Sequence, residues 1–105
     1  MLTHIVMWKL KDHAEGADKA TNLAKAHALL MSCSDVVPGT LHFEVACAQP
    51  GRECTYDLVL NTRFVDAAAL QAYQEHPAHV AIKPFMGAIR LERQCMDYLS
   101  THAWA

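Results

Sequence analysis

From Leu2 to Leu10 the chain alternates. Leu2, His4, Val6, Trp8 and Leu10 fall on one side of an extended chain, and Thr3, Ile5, Met7 and Lys9 on the other. A period of two predicts a strand whose first side is apolar apart from His4. Lys11 to Gly16 is a polar connection. The period then lengthens. Ala20, Leu23, Ala24, His27, Leu30 and Met31 recur at three and four residues, predicting a helix from about Ala17 to Ser34 with that stripe buried. Lys19, Asn22 and Lys25 take its wetter side, and His27 at the stripe is expected to be structural. Asp35 to Gly39 ends the helix in a turn, and Leu41 to Ala48 alternates again, with Leu41, Phe43, Val45 and Cys47 together. The Pro50-Gly51 pair lies in a short link before a third strand, Tyr56 to Phe64, so these two strands should form a hairpin.

Asp66 can cap a helix that begins at Ala67, because its carboxylate can accept a free amide hydrogen of the first turn. Leu70, Tyr73 and His76 share its face. Pro77 disfavours helical geometry at His76 and can itself open a new helix, so Tyr73, His76 and His79 gather around one bend. Lys83 to Gly87, with Pro84, should end that second segment. Ile89 to Leu99 reads as a fourth strand with an irregularity, since neither alternating side is cleanly apolar; the tail from Ser100 to Ala105 carries no pattern.

The order strand, helix, strand, strand, helix, strand predicts an α+β, ferredoxin-like βαββαβ fold. Right-handed crossovers place both helices on one face of a four-stranded antiparallel sheet. Val6, Trp8, Leu58, Leu60 and Phe64 should then meet Leu23, Leu30, Leu70 and Tyr73, and His4 should point toward Tyr73 and His79. The other sheet face mixes Ile5, Met7, Ala46 and Val59 with Lys9, Glu44, Asp57, Asn61 and Arg63.

A chain of 105 residues is expected to form a single domain, 1–105. Its 52% hydrophobic and 19% charged residues fit a globular protein, and a net charge of −2 offers no basic footprint for nucleic acid. No apolar run reaches membrane-spanning length, and Met1-Leu-Thr-His lacks the features of a secretory signal, so a cytoplasmic protein without a membrane partner is expected. The four cysteines form no CxxC pair and are expected to be reduced thiols, Cys33 and Cys95 as small apolar fillers and Cys54 in an exposed turn.

The candidate chemistry lies in His4, Tyr73 and His79. His79 could take a proton from an acidic carbon or hydroxyl. Tyr73 could donate to a carbonyl oxygen as charge develops there. His4 could orient a substrate or hold His79 in one tautomer. Trp8, Leu30, Leu58 and Phe85 would supply apolar walls for a small molecule. The same residues also allow a non-catalytic reading, in which Tyr73 and His79 simply close the core. His76 and His79 form only an HxxH with Pro77 between them, so no metal site is assigned, and no phosphate loop or nucleophile elbow implies a cofactor.

The phrase AYQEHPAHV, with THIVMWKLK, VVPGTLHFEV and YDLVLNTRF in the same order, resembles the stress-responsive dimeric α/β barrel (Dabb) family over nearly the whole chain. That resemblance implies a homodimer, two sheets packing face to face about a two-fold axis. It also implies a cavity holding a histidine and a tyrosine, which in some similar proteins closes rings in polyketide-like chains. His4, Tyr73 and His79 match, while Leu30 and Leu58 leave fewer polar groups. Two functions stay open: a cofactor-free His/Tyr acid–base enzyme of cyclase type, or a small-ligand-binding or stress-associated homodimer.

Overall fold

A computed structural model describes residues 1–100, so the expectation for the tail from residue 101 onward lies outside the described residues. Four long strands, β1 (Leu2–Leu10), β4 (Thr40–Cys47), β5 (Leu58–Phe64) and β6 (Arg90–Leu99), form an antiparallel sheet in the order β4-β5-β1-β6. Helices α1 (Lys19–Met31), α2 (Ala67–Glu75) and α3 (Pro77–Ile89) complete a ferredoxin-like α+β fold. The chain between β1 and α1 adds a two-stranded ribbon, β2 (His13–Ala14) and β3 (Ala17–Asp18).

Register decides which side chains share a face. β1 sets Val6 opposite Leu60 and Trp8 opposite Leu58, and β4 sets Val45 opposite Leu60. All five are buried with Leu30, Leu70 and Tyr73, so the sheet's apolar side meets the helices as the alternation predicts. Two strands depart from strict alternation. In β4 the register shifts between Thr40 and His42, which leaves Leu41 half exposed instead of inward. In β6 it shifts opposite Lys9 and Leu10, leaving Leu91 as the extra residue of a bulge. The turn before β4 requires glycine: Gly39 has φ +87°, and a Cβ there would lie 2.8 Å from Val65 Cγ2.

Helix α1 is turned relative to its sequence stripe. Ala20, Ala24 and Met31 are exposed, while Asn22, Ala26 and Leu30 are buried. Asn22 can lie inside because its amide donates to the carbonyls of Ala14 at 2.9 Å and Ala17 at 3.4 Å. The ribbon thereby satisfies a polar group that composition places in water. His27 is structural as expected, its Nε2 lying 3.2 Å from the Val45 carbonyl. Cys33 is a buried filler, but Cys95 is exposed on the edge strand β6.

The bend forms from its local chemistry. Asp66 caps α2, accepting from the Ala69 amide at 2.9 Å. His76, extended at φ −62° and ψ 137°, ends α2 and caps α3, its Nδ1 accepting from the Ala78 amide at 3.0 Å. Pro77 opens α3, as expected, but Pro84 does not close it; the helix runs on to Ile89. Proline inside a helix removes one hydrogen bond and costs about 3 kcal/mol. Ile82, Met86 and Ile89, all buried on one face, offset that cost, at about 1.5–3 kcal/mol for each buried side chain.

Candidate functional site

Strand β1 places His4 on the helix side of the sheet, almost fully buried. Thr62 on the neighbouring strand fixes the backbone there, its hydroxyl donating to the His4 carbonyl at 2.7 Å. On the other side, β6 brings Asp97 into register with His4, and its carboxylate lies 2.5 Å from His4 Nδ1. A carboxylate accepts, so Nδ1 is the donor and Nε2 is left for the cavity.

The cap at His76 and the first turn of α3 place His79. Its Nδ1 lies 3.0 Å from the Gln74 carbonyl. A carbonyl can only accept, so Nδ1 carries the hydrogen and the neutral ring presents a lone pair at Nε2. Burial holds the imidazole below its ordinary pKa of 6.5, and the charges of Lys83, His4 and Arg93 act in the same direction; the Gln74 hydrogen bond opposes them. His79 is therefore a neutral base at pH 7.

That depression couples to stability. The unfolded chain takes up a proton at His79 near pH 6.5, where the native state does not. Native stability should therefore fall as pH drops through 6.5 and level off below the folded value. In urea titrations at pH 7.5 and pH 5, His79→Gln should lose less stability than the unsubstituted protein. Equal losses would mean that position 79 titrates as in the unfolded chain.

Both imidazoles line a cavity of about 480 Å³, within the range of small-molecule sites. Strand β1 adds Val6 and Trp8 to its wall, α1 adds Leu30, and α3 adds Ile82 and Met86. Two expected wall residues lie elsewhere. Leu58 is buried in the core, and Phe85 packs under Lys25, whose Nζ is 4.4 Å from the ring centroid. Lys83, Arg90 and Arg93 are cavity residues that sequence reasoning missed, and it also missed Asp97, which lies off the wall behind His4.

Tyr73 is brought against His79 but stands behind it, off the cavity wall. Its ring centroid is 4.7 Å from that of His79, 5.4 Å from Phe64 and 5.8 Å from Phe43. Burial pushes the phenol well above its ordinary range, and the hydroxyl has no hydrogen-bond partner among the described residues. Tyr73→Phe should thus raise stability by about 1 kcal/mol, because an unpaired buried hydroxyl is costly. A lower urea midpoint for that variant would show that the hydroxyl is bonded.

His76 joins neither cavity nor metal cluster. Its Nδ1 is engaged as a helix cap, and no group of three or more His, Cys, Asp and Glu is placed to hold a metal ion among the described residues. No helix among them is long and apolar enough to cross a membrane.

A model of the Stress responsive A/B Barrel Domain family matches residues 2–100. The chain is 35% identical over 81 residues to an uncharacterized Streptomyces coelicolor protein, covering 77% of this chain and 81% of that one. It is similar to a dimeric ferredoxin-like protein of unknown function from Bacteroides fragilis, with a TM-score of 0.76, 24% identity, and 92% and 93% of the two chains covered. It is also similar to a Nitrosomonas europaea protein with the provisional name antibiotic biosynthesis monooxygenase, with a TM-score of 0.77, 18% identity, and 97% and 100% covered. The solved structures show the shared fold.

Proposed function

The chain belongs to the stress-responsive A/B barrel domain family, and from that premise we propose that it is a homodimer whose cavity performs cofactor-free acid–base chemistry of cyclase type. One observation carries this reading: His79 stands at a 480 Å³ cavity with Nδ1 tied to Gln74 and Nε2 unprotonated. Nε2 would remove a proton from a carbon flanked by carbonyl groups. The resulting enolate carbon attacks a second carbonyl of the same molecule, forming the ring C–C bond. The new alkoxide then takes the proton back from His79 Nε2–H, so the base is regenerated. His4, with Nδ1 committed to Asp97, would hydrogen-bond a substrate oxygen at Nε2 and fix the chain's orientation. Tyr73 serves as a positioning residue, its ring backing the His79 imidazole.

The homodimer is assigned to the sheet face opposite the helices. Met7 and Met96 are exposed there, beside Ile5, Val59 and Ala46. Solvent-facing apolar side chains at a sheet centre suit a self-complementary contact. The dimeric Bacteroides relative supports a homodimer.

The test is conversion of a synthetic poly-β-keto thioester, followed by liquid chromatography and mass spectrometry. Acceleration over buffer, with a ring product, is expected. No acceleration would sink the cyclase reading and leave the second one, a ligand-binding homodimer without chemistry. The position of Tyr73 favours that alternative, because its hydroxyl does not reach the cavity wall to stabilise an oxyanion.

A further inference from the structure

Three cations converge on the cavity: Lys83 from α3, and Arg90 and Arg93 from β6. They are a third of the nine Lys and Arg residues in a chain of net charge −2. No carboxylate belongs to the cavity wall among the described residues, and none of the three cations has an ion pair or side-chain hydrogen bond there. Asp97, the acidic residue that shares the inner side of β6 with Arg93, is committed to His4, and the adjacent Glu92 pairs with Lys9. Like charges gathered on one cavity without counter-charge repel one another, and an anion relieves that repulsion.

A second observation concerns volume. Gly87 lies in the interior of α3, where glycine costs about 0.5–1 kcal/mol relative to alanine. A Cβ built there meets nothing within 4 Å, so no neighbour in the fold demands glycine. The residue faces the cavity, and its missing side chain enlarges the space beside Lys83.

Resting on the reading of this cavity as the ligand site, we propose that its ligand carries a carboxylate, held by Arg93 and Lys83, with an apolar body against Trp8, Ile82 and Met86. A carboxylate fits better than a phosphate group. The cavity meets the first turn of α3 at His79, but Pro77 has no N–H and the amides of Ala78, His79 and Val80 already donate to His76, so that helix end offers a dianion no free donor. The Arg93 guanidinium can donate a fork of N–H bonds to a planar carboxylate, and Lys83 adds a second charge.

The experiment pairs each acid with its neutral amide: octanoate with octanamide, and 2-naphthoate with 2-naphthamide, titrated by calorimetry into the full chain. Each acid should bind at least about tenfold tighter than its amide, a difference that one charge-assisted hydrogen bond supplies. The gap should shrink at high salt and close in Arg93→Gln and Lys83→Gln, both at exposed positions. Gly87→Leu, which fills the open space, should abolish binding of both partners. Equal affinity for acid and amide, lost in Gly87→Leu, would overturn the carboxylate proposal and leave the cavity reading standing. Binding that persists in Gly87→Leu, or no binding by any of the four compounds, would overturn both.

Discussion

His79→Ala should slow conversion of the poly-β-keto thioester by a factor of about 10²–10⁴, the usual contribution of a positioned general base. The loss should fall on kcat, because the imidazole acts as the proton moves and adds little to substrate binding. The fold should survive. His79 is only partly buried, and the residues that hold the bend are Asp66, His76 and Pro77. His79→Gln serves as a second variant that fills more of the space beside Tyr73 but cannot take up a proton near neutral pH. Both variants should be equally slow, with circular dichroism unchanged. Turnover within a few-fold of the unsubstituted protein would remove His79 from the chemistry. His4→Ala is a poorer probe, since it strips Asp97 of its partner on an already open strand.

Met7→Glu should convert the proposed dimer to monomer at micromolar concentration in sedimentation velocity. Met7 lies on the outer sheet face, in register with Val59 on one side and Gln94 on the other. A two-fold contact through this face brings two copies of each substituted carboxylate out of water together. Removing a carboxylate from water without a partner costs several kcal/mol even after relaxation, enough for at least about a hundredfold loss of affinity. The monomer itself tolerates the change, because the Met7 side chain is 37% exposed there. A dimer that persists would place the interface on another surface. The edge strand β6, exposed along its whole length, would be the first place to look.

The architecture was legible because its strongest signals are local. The period of two in β1 and β5, the Pro50-Gly51 link, and the Asp66 and Pro77 punctuation each act within a few residues. What stayed hidden depends on distant partners. Asn22 lies inside because carbonyls of Ala14 and Ala17 receive its amide, which no helical wheel displays. Pro84 is carried within α3 because Ile82, Met86 and Ile89 bury together, and tertiary packing outweighs a local breaker. Half of the cavity was legible too: parity put His4 beside Val6 and Trp8, and the bend put His79 near it. Its charged half was not, because β6 shows no clean alternation. The bulge at Leu91 breaks the count that would have assigned Arg93 and Asp97 to the inner side.

That single extra residue also sets what insertions and deletions in the edge strand would do. With Leu91 looped out, Trp8 faces Arg93 and His4 faces Asp97. Were the strand to run flush with Leu91 paired, Trp8 would face Glu92 and His4 would face Met96. The wall would exchange a guanidinium for a carboxylate, and the imidazole would lose its anchor. A chain shortened at Leu91 keeps the present frame without the kink, whereas one lengthened by a residue between Arg90 and Arg93 must either loop out two positions or turn the strand inside out. The sign of charge beside Trp8 is thus governed by a one-residue frame.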